Sequence, residues 1–289
     1  MDRPLRIGTR GSPLALLQAR MVADALRAAH GWDEAAVEIV PITTTGDVIQ
    51  DRPLAEVGGK ALWTKELDAC LAEGRTDLSV HSMKDVETVR PALFAIAAML
   101  ERADTRDRLI GAESLDALPK GATVGTSSPR RAAQLLARRP DLETVPIRGN
   151  VQTRLAKIAR GEVDATLLAA AGLERLGIAE GVPLALLPAP AQGAIGVEIL
   201  AGREKLRELL LAIDHKPTHE AVMTERAFLA ALGGDCHSAV AALARGGTLE
   251  GEILSADGSE IQAGEGAPEE LAARLLAAAS PALRAMFSR

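Results

Sequence analysis

Apolar residues recur along this 289-residue chain with two spacings, and each spacing predicts a different element. Spacings of three and four residues, as at Phe228, Leu229 and Leu232, predict amphipathic helices. Such helices are predicted over residues 14–26, 59–73, 130–139, 218–232 and 268–279. Short apolar runs near residues 239–244 and 248–255 predict strands, and Asp257-Gly258 is typical of a hairpin turn.

A strand–loop–helix pattern occurs twice. The segments 7–13 (IGTRGSP) and 124–129 (VGTSSP) each follow an apolar stretch and precede a helix. Serine favours the N-cap and proline the first helical position. A second pair, 74–82 (GRTDLSVHS) and 161–169 (GEVDATLLA), places Gly and Asp before a short buried strand. We therefore expect two similar α/β lobes, with ligands at the carboxyl ends of their strands.

The repeat also predicts the domain boundaries. We expect a first domain over residues 1–100, to which residues 194–216 return, and a second over residues 101–193. Residues 217–289 form a small C-terminal domain of short strands and helices. Because the chain crosses twice between the lobes, a hinge and a cleft are expected. The long irregular segment 43–59 is typical of a mobile lid.

Composition narrows the function classes. The chain is 47% hydrophobic but only 2% aromatic, so its cores are built from Leu, Ala and Val. A net charge of -6 disfavours general nucleic-acid binding. No apolar run is long enough to cross a membrane, and the first residues lack a signal-peptide pattern. We expect a cytoplasmic protein with reduced thiols.

Six arginines stand out, and four of the six fall at predicted loops or helix starts: Arg10, Arg130, Arg131, Arg148, Arg154 and Arg175. A guanidinium at a helix start is unfavourable without an anion, so the set points to a polycarboxylate or phosphate ligand. Asp85 follows a buried strand. It either caps the next turn or provides a carboxylate that steadies positive charge on a substrate or passes a proton to a leaving group.

Cys236 follows a Gly-Gly helix end, and the other cysteine, Cys70, is expected in a core. A thiol in that loop is open to a ligand. Lys60 can reach an anion, and Trp63 either packs in a core or stacks on a flat ligand. Of the five histidines, His215 and His219 are four apart, but Pro217 between them spoils a helical metal pair, so no metal is expected. No phosphate loop or serine-hydrolase elbow occurs.

Taken together, these motifs resemble the porphobilinogen deaminase family, also called hydroxymethylbilane synthases. The matching segments are 7–18 (IGTRGSPLALLQ), 58–67 (GGKALWTKEL), 81–86 (HSMKDV), 125–131 (GTSSPRR), 148–154 (RGNVQTR), 171–177 (AGLERLG), 192–198 (QGAIGVE) and 232–237 (LGGDCH). Their number and order make the resemblance specific. Four positions depart from the common pattern: Glu56, Trp63, Pro129 and Ala191.

The resemblance implies two lobes like those of type II periplasmic binding proteins and a third domain with a three-stranded antiparallel sheet. It implies a transferase of porphyrin, heme and other tetrapyrrole biosynthesis. Four porphobilinogen molecules are joined head to tail, with release of ammonia, to give 1-hydroxymethylbilane. The resemblance also implies a dipyrromethane cofactor held on Cys236 by a thioether. A cytoplasmic monomer with no nucleic-acid or membrane partner is expected.

The resemblance also implies roles for individual residues. Asp85, Lys84 and Arg10 take the catalytic roles. Besides Cys236, the implied cofactor-binding residues are Ser12, Lys84, Thr126, Ser127, Ser128, Arg130, Arg131 and Gln192. The implied substrate-binding residues are Arg10, Gln18, Lys60, Trp63, Arg148, Arg154 and Arg175.

Three other function classes fit part of the sequence. A two-lobed binding protein for a small anion, or the effector lobe of a regulator, explains the repeat and the hinge. Neither explains Cys236 or the third domain. A thiol enzyme with Cys236 as a transient nucleophile lacks a clear base, although His237 is adjacent.

Overall fold

Strands and helices alternate through most of the chain. The computed structural model describes residues 3–44, 64–235 and 237–287. The strands are β1 (Leu5–Arg10), β2 (Val37–Ile42), β3 (Leu78–Ser82), β4 (Phe94–Met99), β5 (Asp107–Ile110), β6 (Thr123–Gly125), β7 (Glu143–Val145), β8 (Ala165–Ala169), β9 (Val182–Leu184), β10 (Ile195–Leu200), β11 (Val240–Arg245), β12 (Thr248–Leu254) and β13 (Ile261–Gly266). The α-helices are α1 (Pro13–His30), α2 (Lys65–Ala72), α3 (Pro129–Arg138), α4 (Val151–Ala159), α5 (Ala170–Arg175), α6 (Glu204–Leu210), α7 (Lys216–Ala231), α8 (Pro268–Ala278) and α9 (Pro281–Ala285).

The chain divides into two compact units. The first contains Met1–Ala103 and Ala194–Glu220, and the second contains Asp104–Gly193 and Ala221–Arg289. Within the second unit, the C-terminal strands form a sheet separate from that of β5 to β9. The division into three domains stays a prediction.

The first unit is built on a five-stranded sheet in the order β2-β1-β3-β10-β4. Strands β1, β2 and β3 are parallel, whereas β10 is antiparallel to both β3 and β4. Helix α1 packs one face on this sheet. Its buried residues Ala19, Val22, Ala23 and Leu26 are three and four apart, and Leu78, Val80 and Val197 complete the core.

The second unit has a sheet with an equivalent order, β7-β6-β8-β5-β9. Again the first three strands are parallel, and the fourth, β5, is antiparallel to its neighbours. The helices that follow β1 and β6 begin alike: a serine caps each helix, and a proline occupies its first turn. Ser12 Oγ accepts from Ala15 N (3.3 Å) and Ser128 Oγ from Arg131 N (3.4 Å). The predicted repeat is confirmed.

The two predicted Gly–Asp segments also have equivalent structures. Gly74 and Gly161 have φ of +68° and +69°, a region that favours glycine. Asp77 Oδ2 accepts a hydrogen bond from Arg6 N on β1 (2.9 Å), and Asp164 Oδ2 accepts one from Thr123 N on β6 (2.7 Å). Asp77 therefore ties the chain before β3 to β1, and Asp164 ties the chain before β8 to β6.

The C-terminal strands form an antiparallel sheet, β11-β12-β13. Phe228, Leu249, Ile253 and Leu271 are buried in its core. Gly251 is required there, because a Cβ would lie 2.6 Å from Phe228 Cζ. The predicted mixed α/β class with a three-stranded antiparallel sheet is confirmed. Residues 45–59 of the predicted lid and residues 59–63 of the helix predicted over 59–73 lie outside the described residues.

Candidate active site

The loop after β1 brings two predicted site residues to the edge of the first sheet. Arg10 ends β1 and is half-buried, and Ser12 caps α1. The buried Thr9 Oγ1 donates to Ala15 O (3.1 Å), which ties the strand end to the first turn of the helix. Arg10 and Ser12 therefore lie on a firmly held loop.

Asp85 lies at the end of a 3-10 turn, Met83–Asp85, that follows β3. Met83 is fully buried, and its N donates to Ala194 O (3.1 Å). Its side chain lies where a Cβ of Gly196 would be, which explains a glycine at that position of β10. Met83 thus anchors the turn, and Lys84 is half-buried while Asp85 is exposed.

One pocket brings these segments together. Its lining includes Arg10, Ser12, Gln18, Ser82 and Asp85. Gln18 is buried, and its Nε2 donates to Ser82 Oγ (2.9 Å), so α1 is joined to the end of β3 within the pocket wall. A cation and a carboxylate thus share one polar concavity, where they can bind a substrate acid group and stabilise positive charge.

His81 and Thr64 also line this pocket, and the sequence analysis missed both. His81 Nε2 lies 3.0 Å from Glu198 Oε2, a carboxylate that is fully buried on β10. Burial alone would raise the pKa of Glu198, but hydrogen bonds and attraction from His81 and Arg90 outweigh it and lower that pKa. Glu198 is therefore ionised behind the pocket.

The second unit places three predicted hydroxyl groups in the loop between β6 and α3. Thr126 Oγ1 accepts from Ser128 N (3.2 Å), and Ser127 Oγ donates to Ile147 O (2.6 Å). Ser128 is the N-cap described above. The three side chains hold the loop in shape, and Thr126 is buried while Ser127 is exposed.

Arg130 and Arg131 are buried on Asp107, a residue that the sequence analysis did not single out. Arg130 Nη1 lies 2.5 Å from Asp107 Oδ2, and Arg131 Nη2 lies 2.6 Å from Asp107 Oδ1. Gln192 Nε2 donates to the same carboxylate (2.9 Å). Burial alone would raise the pKa of Asp107, but the two guanidiniums outweigh it and hold the pKa well below its usual range.

Asp107 carried a signal in the sequence. It begins a short strand that ends in Leu109 and Ile110, and an aspartate is rarely buried without a cationic partner. Two guanidiniums contact this one carboxylate, and the Glu252 carboxylate also attracts Arg130. The Nε of Arg130 is buried and has no hydrogen-bond partner among the described residues. This cluster therefore retains capacity for a further anionic group.

Ala191 precedes Gln192 and has a φ of +63°, in the left-handed region. It is the single non-glycine residue with positive φ among the described ranges. Its N donates to the buried carboxylate of Glu225 (2.6 Å), which holds the backbone in that conformation. An alanine in this conformation costs about 1 kcal/mol relative to a glycine, which accounts for the glycine that is common at this position in the family that the motifs resemble.

The remaining predicted site arginines lie in the second unit: Arg148 before α4, Arg154 on α4 and Arg175 at the end of α5. Arg148 is half-buried, and Arg154 Nε donates to Gly149 O (3.1 Å). Arg175 Nη2 donates to Gly193 O (2.7 Å), but its Nε is buried without a hydrogen-bond partner in the part of the chain that the structure describes. Burial lowers the pKa of Arg175, against a smaller opposing effect of Glu174. A carboxylate ligand is able to accept a hydrogen bond from such a buried guanidinium N–H.

Three predicted site residues, Lys60, Trp63 and Cys236, lie outside the described residues. The neighbours of Cys236 form a tight turn, because His237 N donates to Asp235 Oδ1 (2.9 Å) and Asp235 N to Ser238 Oγ (3.1 Å). Cys70 is buried in the first unit, as predicted.

Two family models match the chain. Residues 5–208 match the porphobilinogen deaminase, dipyromethane cofactor binding domain, and residues 219–278 match the porphobilinogen deaminase C-terminal domain. The chain is 59% identical to the porphobilinogen deaminase of Sphingopyxis alaskensis over 308 aligned positions, which cover 99% of this chain and 98% of that protein. It is 50% identical to the enzyme of Paracoccus denitrificans over 275 positions, covering 91% of this chain and 88% of that one.

Solved structures of binding proteins are more distant. A nutrient binding protein from Burkholderia cenocepacia bound to methionine has a TM-score of 0.45 and 14% identity, covering 78% of this chain and 95% of that one. Across the described ranges, every helix is too short or too polar to cross a bilayer. On the two family models and the nearly full-length relatives, the chain belongs to the porphobilinogen deaminase family.

Proposed function

We propose that the pocket of Arg10, Ser12 and Asp85 carries the chemistry of a hydroxymethylbilane synthase in this chain. The enzyme joins four porphobilinogen molecules head to tail, releases one ammonia at each step and yields the linear 1-hydroxymethylbilane. The observation that carries this function is the family match over nearly the whole chain. The pocket supplies the two groups that the chemistry requires, a carboxylate and a cation.

Asp85 is the catalytic carboxylate in this proposal. Loss of ammonia from porphobilinogen leaves an electron-poor azafulvene, and the attack on it passes through a cationic pyrrole. A carboxylate fixed beside the pyrrole nitrogen stabilises that charge without reorganisation. The exposed position of Asp85 at the end of an anchored turn gives the substrate access to it.

Each porphobilinogen brings an acetate and a propionate, so the site must bind many carboxylates. Arg10 and the half-buried Arg148, Arg154 and Arg175 are suited to this, since arginine binds carboxylates in a bidentate manner. Lys84, next to Asp85, and Gln18 in the pocket wall assist. Lys60 and Trp63 are proposed to contact the substrate on the resemblance alone.

The family has a dipyrromethane cofactor, which when bound supplies the pyrrole carbon to which the first substrate unit is joined. The residues present fit this acidic group, because Arg130 and Arg175 each have a buried Nε without a hydrogen-bond partner within residues 3–44, 64–235 and 237–287. We propose that its acid groups are held by Arg130, Arg131 and Gln192, together with the hydroxyl groups of Thr126, Ser127 and Ser128. Ser12 and Lys84 contribute from the first unit, and Cys236 provides the thioether sulfur.

Intact mass under denaturing conditions tests the attachment. The wild-type chain is expected to exceed its sequence mass by two linked pyrrole units, and Cys236→Ser is expected to lose that increment. Cys70→Ala is the matched control, since it removes the other cysteine and keeps the increment. An unmodified mass in an active wild-type preparation contradicts the proposal.

Turnover tests the role of Asp85. Asp85→Asn keeps the size of the side chain but removes its charge, so kcat is expected to fall by about 100-fold or more while the pyrrole mass increment remains. Asp33→Asn, at an exposed position without a side-chain capping bond, is the control and keeps wild-type kcat. Near-normal turnover of Asp85→Asn refutes its role.

We further propose that the chain works as a cytoplasmic monomer. The chain has only two cysteines, too few for a disulfide framework, which supports a reducing compartment. Light scattering of the purified protein should give the mass of one chain. A stable dimer mass would contradict this part of the proposal.

A further inference from the structure

A guanidinium lies behind the Asp85 pocket, held by three carboxylates. Arg90 Nε donates to Glu198 Oε1 (2.7 Å), its Nη2 donates to Asp68 Oδ1 (2.6 Å), and its Nη1 donates to Glu87 Oε2. The Arg90 side chain is only 8% exposed and also lies 5.1 Å from the ring centroid of Phe94. Arg90 is therefore fixed on all sides by α2, β10 and the loop after Asp85.

Two of these carboxylates reach the pocket wall. Glu198 contacts His81 Nε2 (3.0 Å), and Glu87 Oε2 accepts a hydrogen bond from Thr64 Oγ1 (3.1 Å). His81 and Thr64 both line the pocket together with Asp85. Arg90 is thus connected to the pocket surface through Glu198 and His81 on one side and through Glu87 and Thr64 on the other.

The segment that carries Asp85 lies between these two connections. His81 precedes Asp85 by four residues, and Glu87 follows it by two. We propose that Arg90 is a positioning residue, which fixes Asp85 by holding both ends of this segment, through Glu198 and His81 on one side and through Glu87 on the other. The inference rests on the proposed function, because it assumes that Asp85 acts on the substrate.

Charge gives the arrangement a second effect. The Arg90 guanidinium offsets part of the negative charge of Asp68, Glu87 and Glu198, whose side chains are 15%, 20% and 0% exposed. Without Arg90 these three carboxylates repel one another and push the segment away from β10. The substrate is itself a dicarboxylate. Loss of Arg90 increases the negative charge behind the pocket, so the variant is expected to hold this substrate less well.

The test compares Arg90→Met with Arg90→Lys, in cofactor-loaded enzyme quantified by intact mass. Misplacing a catalytic group by about 1 Å costs about 100-fold, so kcat per loaded Arg90→Met enzyme is expected to fall about that much. We expect KM for porphobilinogen to change less than kcat. Arg90→Lys keeps one charge without the planar fork and is expected to recover about tenfold.

Arg6→Met is the matched control for the loss of an arginine in the same unit. Arg6 donates to Gly74 O (2.5 Å) and lies 3.6 Å from Asp77, away from the pocket lining. It is expected to lower the melting temperature and to keep kcat. If Arg90→Met has wild-type kcat per loaded molecule and loses only thermal stability, the positioning role is overturned.

Glu87→Gln covers the case in which Arg90→Met fails to fold. It weakens the connection to the Asp85 segment and leaves Arg90 paired with Asp68 and Glu198. We expect a severalfold fall in kcat for Glu87→Gln. If Glu87→Gln and Arg90→Lys both have wild-type kcat and KM, the inference is overturned. If the wild-type enzyme itself releases no ammonia from porphobilinogen, the proposed function fails first, so the two failures are distinguishable.

Discussion

Replacing Asp107 by asparagine removes the charge that two buried guanidiniums share. The Asp107 side chain is fully buried and lies 2.5 Å from Arg130 Nη1 and 2.6 Å from Arg131 Nη2. At an effective dielectric of about 20, each contact is worth about 6–7 kcal/mol before desolvation. Desolvation offsets most of this gain in the wild type. In Asp107→Asn the two cations stay desolvated but lose their attraction to the carboxylate. We therefore expect the free energy of unfolding to fall by about 3–5 kcal/mol.

Urea unfolding followed by circular dichroism measures this loss, and the midpoint should fall by about 1–2 M. Asp104→Asn is the control, because Asp104 lies in the same unit and also binds an arginine, Arg106, but one whose side chain is 55% exposed. Solvent screens that pair, so its loss should shift the midpoint far less. Equal midpoints for the two variants would refute the reasoning that burial makes the Asp107 cluster essential.

Three further outcomes test other parts of the fold. Ser128→Ala removes the N-cap of α3 and should lower the free energy of unfolding by about 1 kcal/mol in urea; an unchanged midpoint contradicts this. Gly258→Ala should lower the melting temperature more than Gly246→Ala, since both have positive φ but a Cβ at Gly258 would strike the backbone of α3, whereas Gly246 borders open space; equal losses contradict this. Burial alone would raise the pKa values of Asp107 and Glu198, but their cationic partners lower both below the unfolded values of about 3.9 and 4.3, so the unfolded state binds more protons in acid. The free energy of unfolding should therefore fall as the pH is lowered below about 5, and urea titrations at pH 7 and pH 4 check the sign.

Local signals predicted much of the fold. The Ser-Pro pairs at Ser12 and Ser128 fix the starts of α1 and α3, because the serine satisfies a free N–H and the proline needs none. The apolar spacing after Pro268 gives α8 within one residue of its predicted end. These features depend on neighbours a few residues apart, which a single sequence contains.

The site required contacts that one sequence does not reveal. His81 offered no ligand spacing, yet its partner Glu198 lies 117 residues further along the chain. Arg90 is likewise 108 residues from Glu198. The arginine pair after Ser128 was predicted to hold ligand carboxylates, and the structure adds a carboxylate of the chain itself, Asp107. Antiparallel insertion of β5 and β10 into otherwise parallel sheets brings these residues together, and no local pattern specifies that insertion.

The two insertions follow the same physical rule. Each occupies the fourth position of its sheet, and each carries a buried carboxylate, Asp107 on β5 and Glu198 on β10, that binds arginine from another segment. A strand with apolar residues can slip by two positions without turning its faces over. A slip that separates such a carboxylate from its guanidinium leaves both charges buried and unpaired, which costs about 3–5 kcal/mol.

We infer that these ion pairs fix the register of the inserted strands more than they add stability. The consequence for β10 reaches the site directly. In the observed register Gly196 is paired with His81 and Ile195 with Ser82, so the backbone of β10 accommodates Met83 and aligns the end of β3. A slip by two residues would place a side chain against Met83 and displace the turn that ends in Asp85. The position of the proposed catalytic carboxylate therefore depends on a charge pair buried behind it.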